Sequence, residues 1–416
     1  MSTPFSQGLP PGLPAAVYEA IAQSPVFDGH NDLMAAIREE AGYSVEGLDR
    51  PRPEFQTDLV RLRLGGVGAQ FWSAWVPPHL PEPEAVVATL EQVDGIGRLV
   101  AAYPERLASA YTVAEVRAAW AGGRIASLIG IEGGHSIARS LGVLRAFARL
   151  GVRYMTLTHT ANTAWADSGT DVPAAGGLTP EGEAVVREMV RLGMLVDLSH
   201  TSAETQRAAL AIAEAPVIFS HSSAFAVHQH PRNVPDDVLG RLRANGGVVL
   251  ATFVPFYLSR AMAKYVADAE ASMADLDTGF GAFWTPAPLP GETQAEWRSR
   301  AETQRAGGAE LTRRLAAWEE AHPKPLVGIA DAVAHIEHLR EAAGVDHIGL
   351  GGDYDGSKWQ PEGLEDVSGY PRLLAALANR GWSARDLAKL AGGNALRVLG
   401  DAEDAATDPL WPGAVA

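Results

Sequence analysis

The chain has 416 residues, 47% of them hydrophobic and 20% charged, with a formal net charge of −16 and no cysteine. The length admits two average domains or one large α/β barrel carrying an insertion, and the acidic balance argues against nucleic acid or an anionic membrane as a partner. Without cysteine, disulfides, thiolate nucleophiles and thiolate metal ligands are excluded, so any metal must sit on histidine and carboxylate.

From the N-terminus, residues 1–14 show no basic run followed by an apolar segment, and no stretch approaches the length of a membrane span. A Pro- and Gly-punctuated tail over residues 1–20 of a cytoplasmic protein is the expectation. Eight short apolar runs bounded by turn residues follow, at 26–32, 67–75, 125–132, 154–159, 195–200, 216–221, 248–253 and 347–353. Most are continuously apolar rather than alternating, as strands buried on both faces are. Helical patterns lie between them, over 83–103, 140–150, 180–192, 203–213 and 235–244. Eight strand-helix alternations favour a (β/α)8 TIM barrel, with an open sheet plus a second domain as the structural alternative.

The interval 255–325, after the seventh strand, is too long for a loop and a helix and is rich in Ala, Glu and Arg. It reads as a helical insertion whose Trp284, Trp297 and Trp318 either cover the barrel mouth, build a subunit contact or pack on one another. Helices are predicted again over 371–378 and 384–390, and Gly392 to Leu399 is expected to close the barrel. A single catalytic domain over 21–400 and a peripheral C-terminal tail over 401–416 complete the organisation.

Active sites of such barrels lie at the carboxyl ends of the strands. The first predicted strand ends in His30 and Asp32, which share a face because they are two residues apart. The third ends in Glu132, the fourth in His159, the fifth in His200 and the sixth in His221, and Asp353 stands at the end of the eighth. Singly, each reads as a helix cap or a turn residue. Together they fit one site of imidazole and oxygen ligands suited to zinc, manganese, iron or cobalt. Six ligands before Asp353 exceed what one tetrahedral ion needs, so two metals are the natural proposal, with Glu132 as the bridge because a carboxylate has two oxygens. Paired ions would acidify a shared water, and the bridging hydroxide would attack a carbonyl. Arg232, in the Pro231-Arg232-Asn233 loop beyond the sixth strand, is either a solvated loop arginine or a permanent cation placed where it can grip a carboxylate. Tyr257, just after the seventh strand, is a candidate pocket wall or a core aromatic. His79, His135, His228, His230, His322, His335, His338 and His347 are not favoured as ligands.

These residues resemble the membrane dipeptidase (renal dipeptidase) family of amidohydrolase-like metal-dependent barrels. The resembling stretches are Asp28-Gly29-His30-Asn31-Asp32-Leu33, Ile131-Glu132-Gly133-Gly134, Leu157-Thr158-His159-Thr160-Ala161-Asn162, Asp197-Leu198-Ser199-His200, Ser220-His221-Ser222, His230-Pro231-Arg232-Asn233 and Gly351-Gly352-Asp353-Tyr354-Asp355-Gly356. They run in the family's order from about residue 20 to residue 400. The resemblance implies one zinc on His30, Asp32 and Glu132, and a second on Glu132, His200 and His221. It implies that His159 contacts the substrate and stabilises the oxyanion, that Arg232 pairs with the dipeptide's carboxylate, and that Asp353 binds the free amino group and shuttles the proton.

The expectation is therefore a binuclear zinc dipeptidase, cleaving dipeptides with free termini and tolerating a D-residue at the C-terminal position. The alternative is a related amidohydrolase acting on another amide, a lactone or an N-acyl amino acid. A small dipeptide is the expected partner, with no nucleic acid and no membrane, and the sequence leaves a monomer and a homodimer both open.

Overall fold

The apolar runs form parallel strands buried on both faces, which is why they lack a polar–apolar alternation. A computed structural model describes residues 3–275, 289, 291–304 and 306–414. Its strands are β1 (Val26–Asn31), β2 (Val67–Trp75), β3 (Leu107–Ser109), β4 (Ile125–Glu132), β5 (Val152–Thr156), β6 (Leu195–Asp197), β7 (Ile218–Ser222), β8 (Val248–Ala251) and β9 (Ile348–Leu350). Hydrogen bonding runs β2-β1-β9-β8-β7-β6-β5-β4, and β2 also pairs with β4. Eight strands thus close into a (β/α)8 TIM barrel. The short β3 is additional to the eight, pairing with the start of β4 on the side that β5 takes up from Ile129 onward.

Helices start and stop where local chemistry dictates. In Pro180–Leu192 the Thr179 side chain accepts from the Gly182 amide, proline occupies the first turn, and Gly193 ends the helix in a left-handed conformation (φ 70°). The barrel interior at the amino ends of the strands is filled by Phe27, Phe71, Leu128, Tyr154, Leu195, Ile218, Val248 and Leu250.

Three expectations at the periphery change. The first and eighth barrel strands pair directly, with Asp28 opposite Leu350, so residues 392–399 are not what closes the barrel. That stretch ends a π-helical turn and opens the helix Asn394–Ala405, whose Ala395, Leu396, Val398 and Leu399 plug the bottom of the barrel. The N-terminal stretch expected as a tail carries helices Pro4–Gln7 and Ala15–Gln23, and Phe5, Leu9, Val17, Ala20 and Ile21 enter the core. At the other end the terminal helix runs past residue 401 to Ala405, and the Arg153 guanidinium lies 4.1 Å over the Trp411 ring.

Within 255–325, the described residues form helices Pro255–Leu258, Arg260–Ser272, Gln294–Gln304 and Ala306–Ala321. Trp284 lies outside the described residues. Trp297 is buried and packs over Gly42, at the end of the helix that follows β1. Trp318 meets Tyr265 at 4.6 Å, and the neighbouring Glu319 accepts from Lys358 and from the Trp359 indole in the loop after β9. The insertion therefore grips the loops on either side of the β1–β9 seam.

Candidate metal centre

At the carboxyl ends of the strands the chain concentrates histidine and carboxylate. His30 is the penultimate residue of β1, Glu132 ends β4 and His221 lies within β7. Asp32 precedes the helix Leu33–Ala41 at the capping position, yet its side chain makes no capping bond and faces the site. His159, His200 and Asp353 are not strand residues, contrary to the sequence expectation: β5, β6 and β9 end at Thr156, Asp197 and Leu350. His200 (φ 66°) and Asp353 (φ 58°) adopt left-handed backbone that no strand accommodates. Such conformations cost non-glycine residues on the order of 1 kcal/mol each and persist where their surroundings hold them.

The surroundings do hold them. Ser168 Oγ donates to the His159 carbonyl at 2.6 Å and lies 3.3 Å from the His200 carbonyl, tying these two loops together. The Asp353 amide donates to the His30 carbonyl and the Asp32 amide to the Tyr354 carbonyl, zipping the loop after β9 onto the end of β1. Gly356 passes so close that a Cβ there would strike Asp32 Oδ2 and Asp353 Oδ1. Gly130 on β4 leaves room for the Tyr154 ring, whose hydroxyl meets His30 Nδ1 at 2.8 Å.

Glu132 Oε1 is the focus. It lies 2.8 Å from His200 Nε2, 3.3 Å from His221 Nε2, 3.5 Å from His30 Nε2 and 3.8 Å from His159 Nε2. Asp32 Oδ2 is 3.3 Å from His30 Nε2 on the opposite flank. Among the described residues, three overlapping ligand sets emerge: His30, Glu132 and His221; Glu132, His159 and His200; and His30, Asp32 and Asp353. All seven sequence-predicted residues of the centre are therefore brought together.

The electrostatics fit a cation site. Burial holds the pKa values of His159, His200 and His221 well below the ordinary range, so these imidazoles are neutral and carry lone pairs. Burial pushes Glu132 up, against the pull of His30, and burial with the charges of Asp32 and Glu132 raises Asp353 well above the usual range. Burial also tends to raise Asp32, but His30 outweighs it and the carboxyl sits below its ordinary value. His200 Nε2 and His221 Nε2 face each other at 2.9 Å, a contact that needs one proton or one cation between them. Asp32 Oδ1 and His30 Nε2 are buried without a hydrogen-bond partner. Orphaned buried ligand atoms converging on a shared carboxylate are the donor set that divalent metal completes.

Arg232 lies beside this cluster, buried, with Nη1 3.4 Å from Ser222 Oγ, Nη2 3.2 Å from the His221 carbonyl, and Nε without a hydrogen-bond partner. Tyr257 is half-buried, with its ring 5.0 Å from the guanidinium carbon. Of the disfavoured histidines, His335 bonds Ala224 N and Leu258 O, and His135 Nε2 meets the Val76 carbonyl at 3.1 Å. Neither reaches the centre.

Residues 15–411 match the family model of membrane dipeptidase (Peptidase family M19). The chain belongs to this family. Membrane dipeptidase family membership makes it a peptide-bond hydrolase of a metallopeptidase class. Dipeptidase verJ of Clonostachys rogersoniana is 39% identical over 396 residues, spanning 92% of this chain and 86% of that protein. Dipeptidase aclJ of Aspergillus oryzae is 38% identical over 400 residues, spanning 93% and 80%. Among solved structures, the probable dipeptidase PvdM from Pseudomonas aeruginosa superposes with a TM-score of 0.77 at 25% identity, over 94% of this chain and 98% of that one.

Several residues of the centre went unseen in the sequence. Tyr154 is one apolar residue among others in a strand, and only barrel geometry turns it toward His30. Ser168 lies in an irregular loop with no periodic signal. Gly356 was visible within the Asp-Tyr-Asp-Gly run, but its closeness to two carboxylates is a property of the fold.

Proposed function

We propose that the protein is a two-metal dipeptidase, holding zinc on His30, Asp32 and Glu132 and again on Glu132, His200 and His221, and cleaving dipeptides with free amino and carboxyl ends. The observation that carries this reading is the convergence of three imidazole Nε2 atoms within 3.5 Å of Glu132 Oε1. When bound, the cations would supply an acidified shared water and a counter-charge for the carbonyl oxygen.

The chain's own groups do the rest. Arg232 receives the substrate carboxylate, for which its unpartnered Nε is available. Thr160 Oγ1 lies 3.2 Å from His159 Nδ1, and with the proton on Nε2 His159 donates to the carbonyl oxygen of the scissile bond. Asp353, beside Asp32 and Glu132, binds the substrate ammonium. Its carboxylate takes the proton released by the attacking water and passes it to the leaving amine nitrogen. The burial of the candidate ligands favours short substrates: His159 and Asp353, the most exposed of the seven, are each only 8% exposed. Dipeptides with a C-terminal D-residue are included in the proposal on the resemblance of the motifs.

Metal analysis coupled to a screen of L,L- and L,D-dipeptides tests the reading. About two zinc ions per chain and turnover of free dipeptides are expected. Less than about one ion per chain, with no turnover after zinc addition, would sink it. Faster cleavage of N-acetylated substrates than of free dipeptides would favour an amidohydrolase of another specificity.

A further inference from the structure

We propose that Asp197 and Ser220 are positioning residues that lock His221 in the tautomer able to hold a cation, an inference that rests on the two-metal reading only for what His221 then binds. The argument is a proton inventory. Asp197 is wholly buried, at the end of β6, and its carboxylate collects four donors from three neighbouring strands and loops. Oδ1 accepts from the amides of Ser199 at 3.0 Å and Ser220 at 2.9 Å. Oδ2 accepts from Thr156 Oγ1 at 2.7 Å and Ser220 Oγ at 2.5 Å. Four bonds fill a carboxylate's acceptor sites and leave it nothing to donate.

Ser220 has one hydroxyl proton. Ser199 Oγ, at 3.4 Å, and a bare His221 Nδ1, at 2.8 Å, compete for it, and the short bond to a carboxylate prevails over both. With its proton given to Asp197, Ser220 Oγ can only accept from His221 Nδ1. His221 must therefore carry its proton on Nδ1. Its Nε2 presents a lone pair toward Glu132 Oε1 at 3.3 Å and His200 Nε2 at 2.9 Å. The relay is a carboxylate–histidine pair with a serine hydroxyl inserted, and it serves the orienting role such outer partners have around metals. The other ligands are less constrained. Tyr154 can donate to His30 Nδ1 or accept from it, and His200 Nδ1 is buried without a hydrogen-bond partner.

Asp197→Asn should reverse the inventory. The two amide donors at the Oδ1 position force the carboxamide oxygen to stay there, so the NH2 group faces Ser220 Oγ. Ser220 then accepts, its proton turns to His221 Nδ1, and Nε2 becomes N–H, which cannot ligate. Ser220→Ala removes the relay outright, whereas Thr156→Val deletes one bond to Asp197 and leaves the relay intact.

The test has two readouts besides activity. Nitrogen-15 NMR of histidine-labelled, metal-free protein should show His221 protonated on Nδ1 in the wild type and on Nε2 in Asp197→Asn. Chelator competition should show one of the two zinc ions bound about 10- to 100-fold more weakly in Asp197→Asn and Ser220→Ala, and unchanged in Thr156→Val. A wild-type His221 protonated on Nε2, or wild-type zinc affinity in Ser220→Ala, overturns the proposal. Should Asp197→Asn fail to fold, the wild-type tautomer and Ser220→Ala still decide. A protein that shows the expected tautomer but takes up no zinc would instead overturn the two-metal reading.

Discussion

A buried guanidinium with no carboxylate partner and a spare Nε donor is an unusual use of arginine, because the group is normally either solvated or saturated with acceptors. Arg232 has that character, and its spare donors are the physical ground for reading it as the carboxylate grip. Hydrogen bonds to a charged group contribute about 1.5–3 kcal/mol, so Arg232→Ala should lower kcat/KM for free dipeptides about 10- to 100-fold. A C-terminally amidated dipeptide offers no carboxylate, and its already slow cleavage should barely change. Equal losses on both substrates would reduce Arg232 to a brace for Tyr257 and Ser222. In the sequence a solvated loop arginine is an equal reading of this position, and the resemblance of His230-Pro231-Arg232-Asn233 to the family motif singles it out. The groups that orient the centre were not legible there: the Tyr154 hydroxyl and Ser168 lie far along the chain from the His30 and His200 they touch, and although Asp197 and Ser220 stand in the histidine-bearing stretches, their mutual contact is a property of the fold.

The strands themselves were legible as elements, since two-sided burial writes continuous apolar runs. Their ends were not, because His200, Asp353 and Asp355 all enter left-handed backbone that side-chain patterning does not encode. The turn after β9 is fastened to the segment preceding the helix Leu59–Leu64. Asp355 Oδ1 accepts from the Gln56 amide at 2.7 Å, the Asp355 amide donates to Gln56 Oε1 at 2.8 Å, and Gln56 Nε2 donates to the Ser357 carbonyl at 2.7 Å. Burial raises the Asp355 carboxyl to about 7, against the pull of the Gln56 amide and Thr57. A carboxyl whose folded pKa lies above its unfolded value binds its proton more tightly in the folded state. Its stabilisation is therefore full below about pH 4 and is lost as the pH rises through about 7. Asp355→Asn keeps the acceptor for the Gln56 amide and removes the titration. In metal-free protein, its melting temperature should rise relative to wild type between pH 5 and pH 8. The gain should be a few kcal/mol at most, since each tenfold difference in proton affinity between the folded and unfolded chain is worth about 1.4 kcal/mol. A difference that stays constant with pH would show that Asp355 is ionised throughout.

At the scale of the whole molecule, the barrel confines seven ionisable side chains of one centre in a space nearly closed to water. Barrel class and strand count could be read from the sequence because the strand–helix rhythm repeats eight times. The packing of the N-terminal helices and the plugging role of Asn394–Ala405 could not, since short apolar stretches near chain ends look alike whether docked or loose. Three carboxylates crowded into one buried centre repel one another, and burial leaves Glu132 and Asp353 shifted toward their neutral forms despite the pull of His30. Cations at this centre would remove that penalty, so loading and folding are linked. Each site filled at about 100 times its dissociation constant adds about 2.7 kcal/mol, roughly 5 kcal/mol for two. Chelation should therefore lower the melting temperature by on the order of 5 °C, and zinc should restore it. In Glu132→Ala, which lacks the shared ligand, most of the zinc-dependent rise should vanish, and the chelated variant should melt no lower than chelated wild type because one buried carboxylate has been removed. A wild-type melting temperature indifferent to chelator and to zinc would mean that the convergent histidines stabilise the fold by themselves.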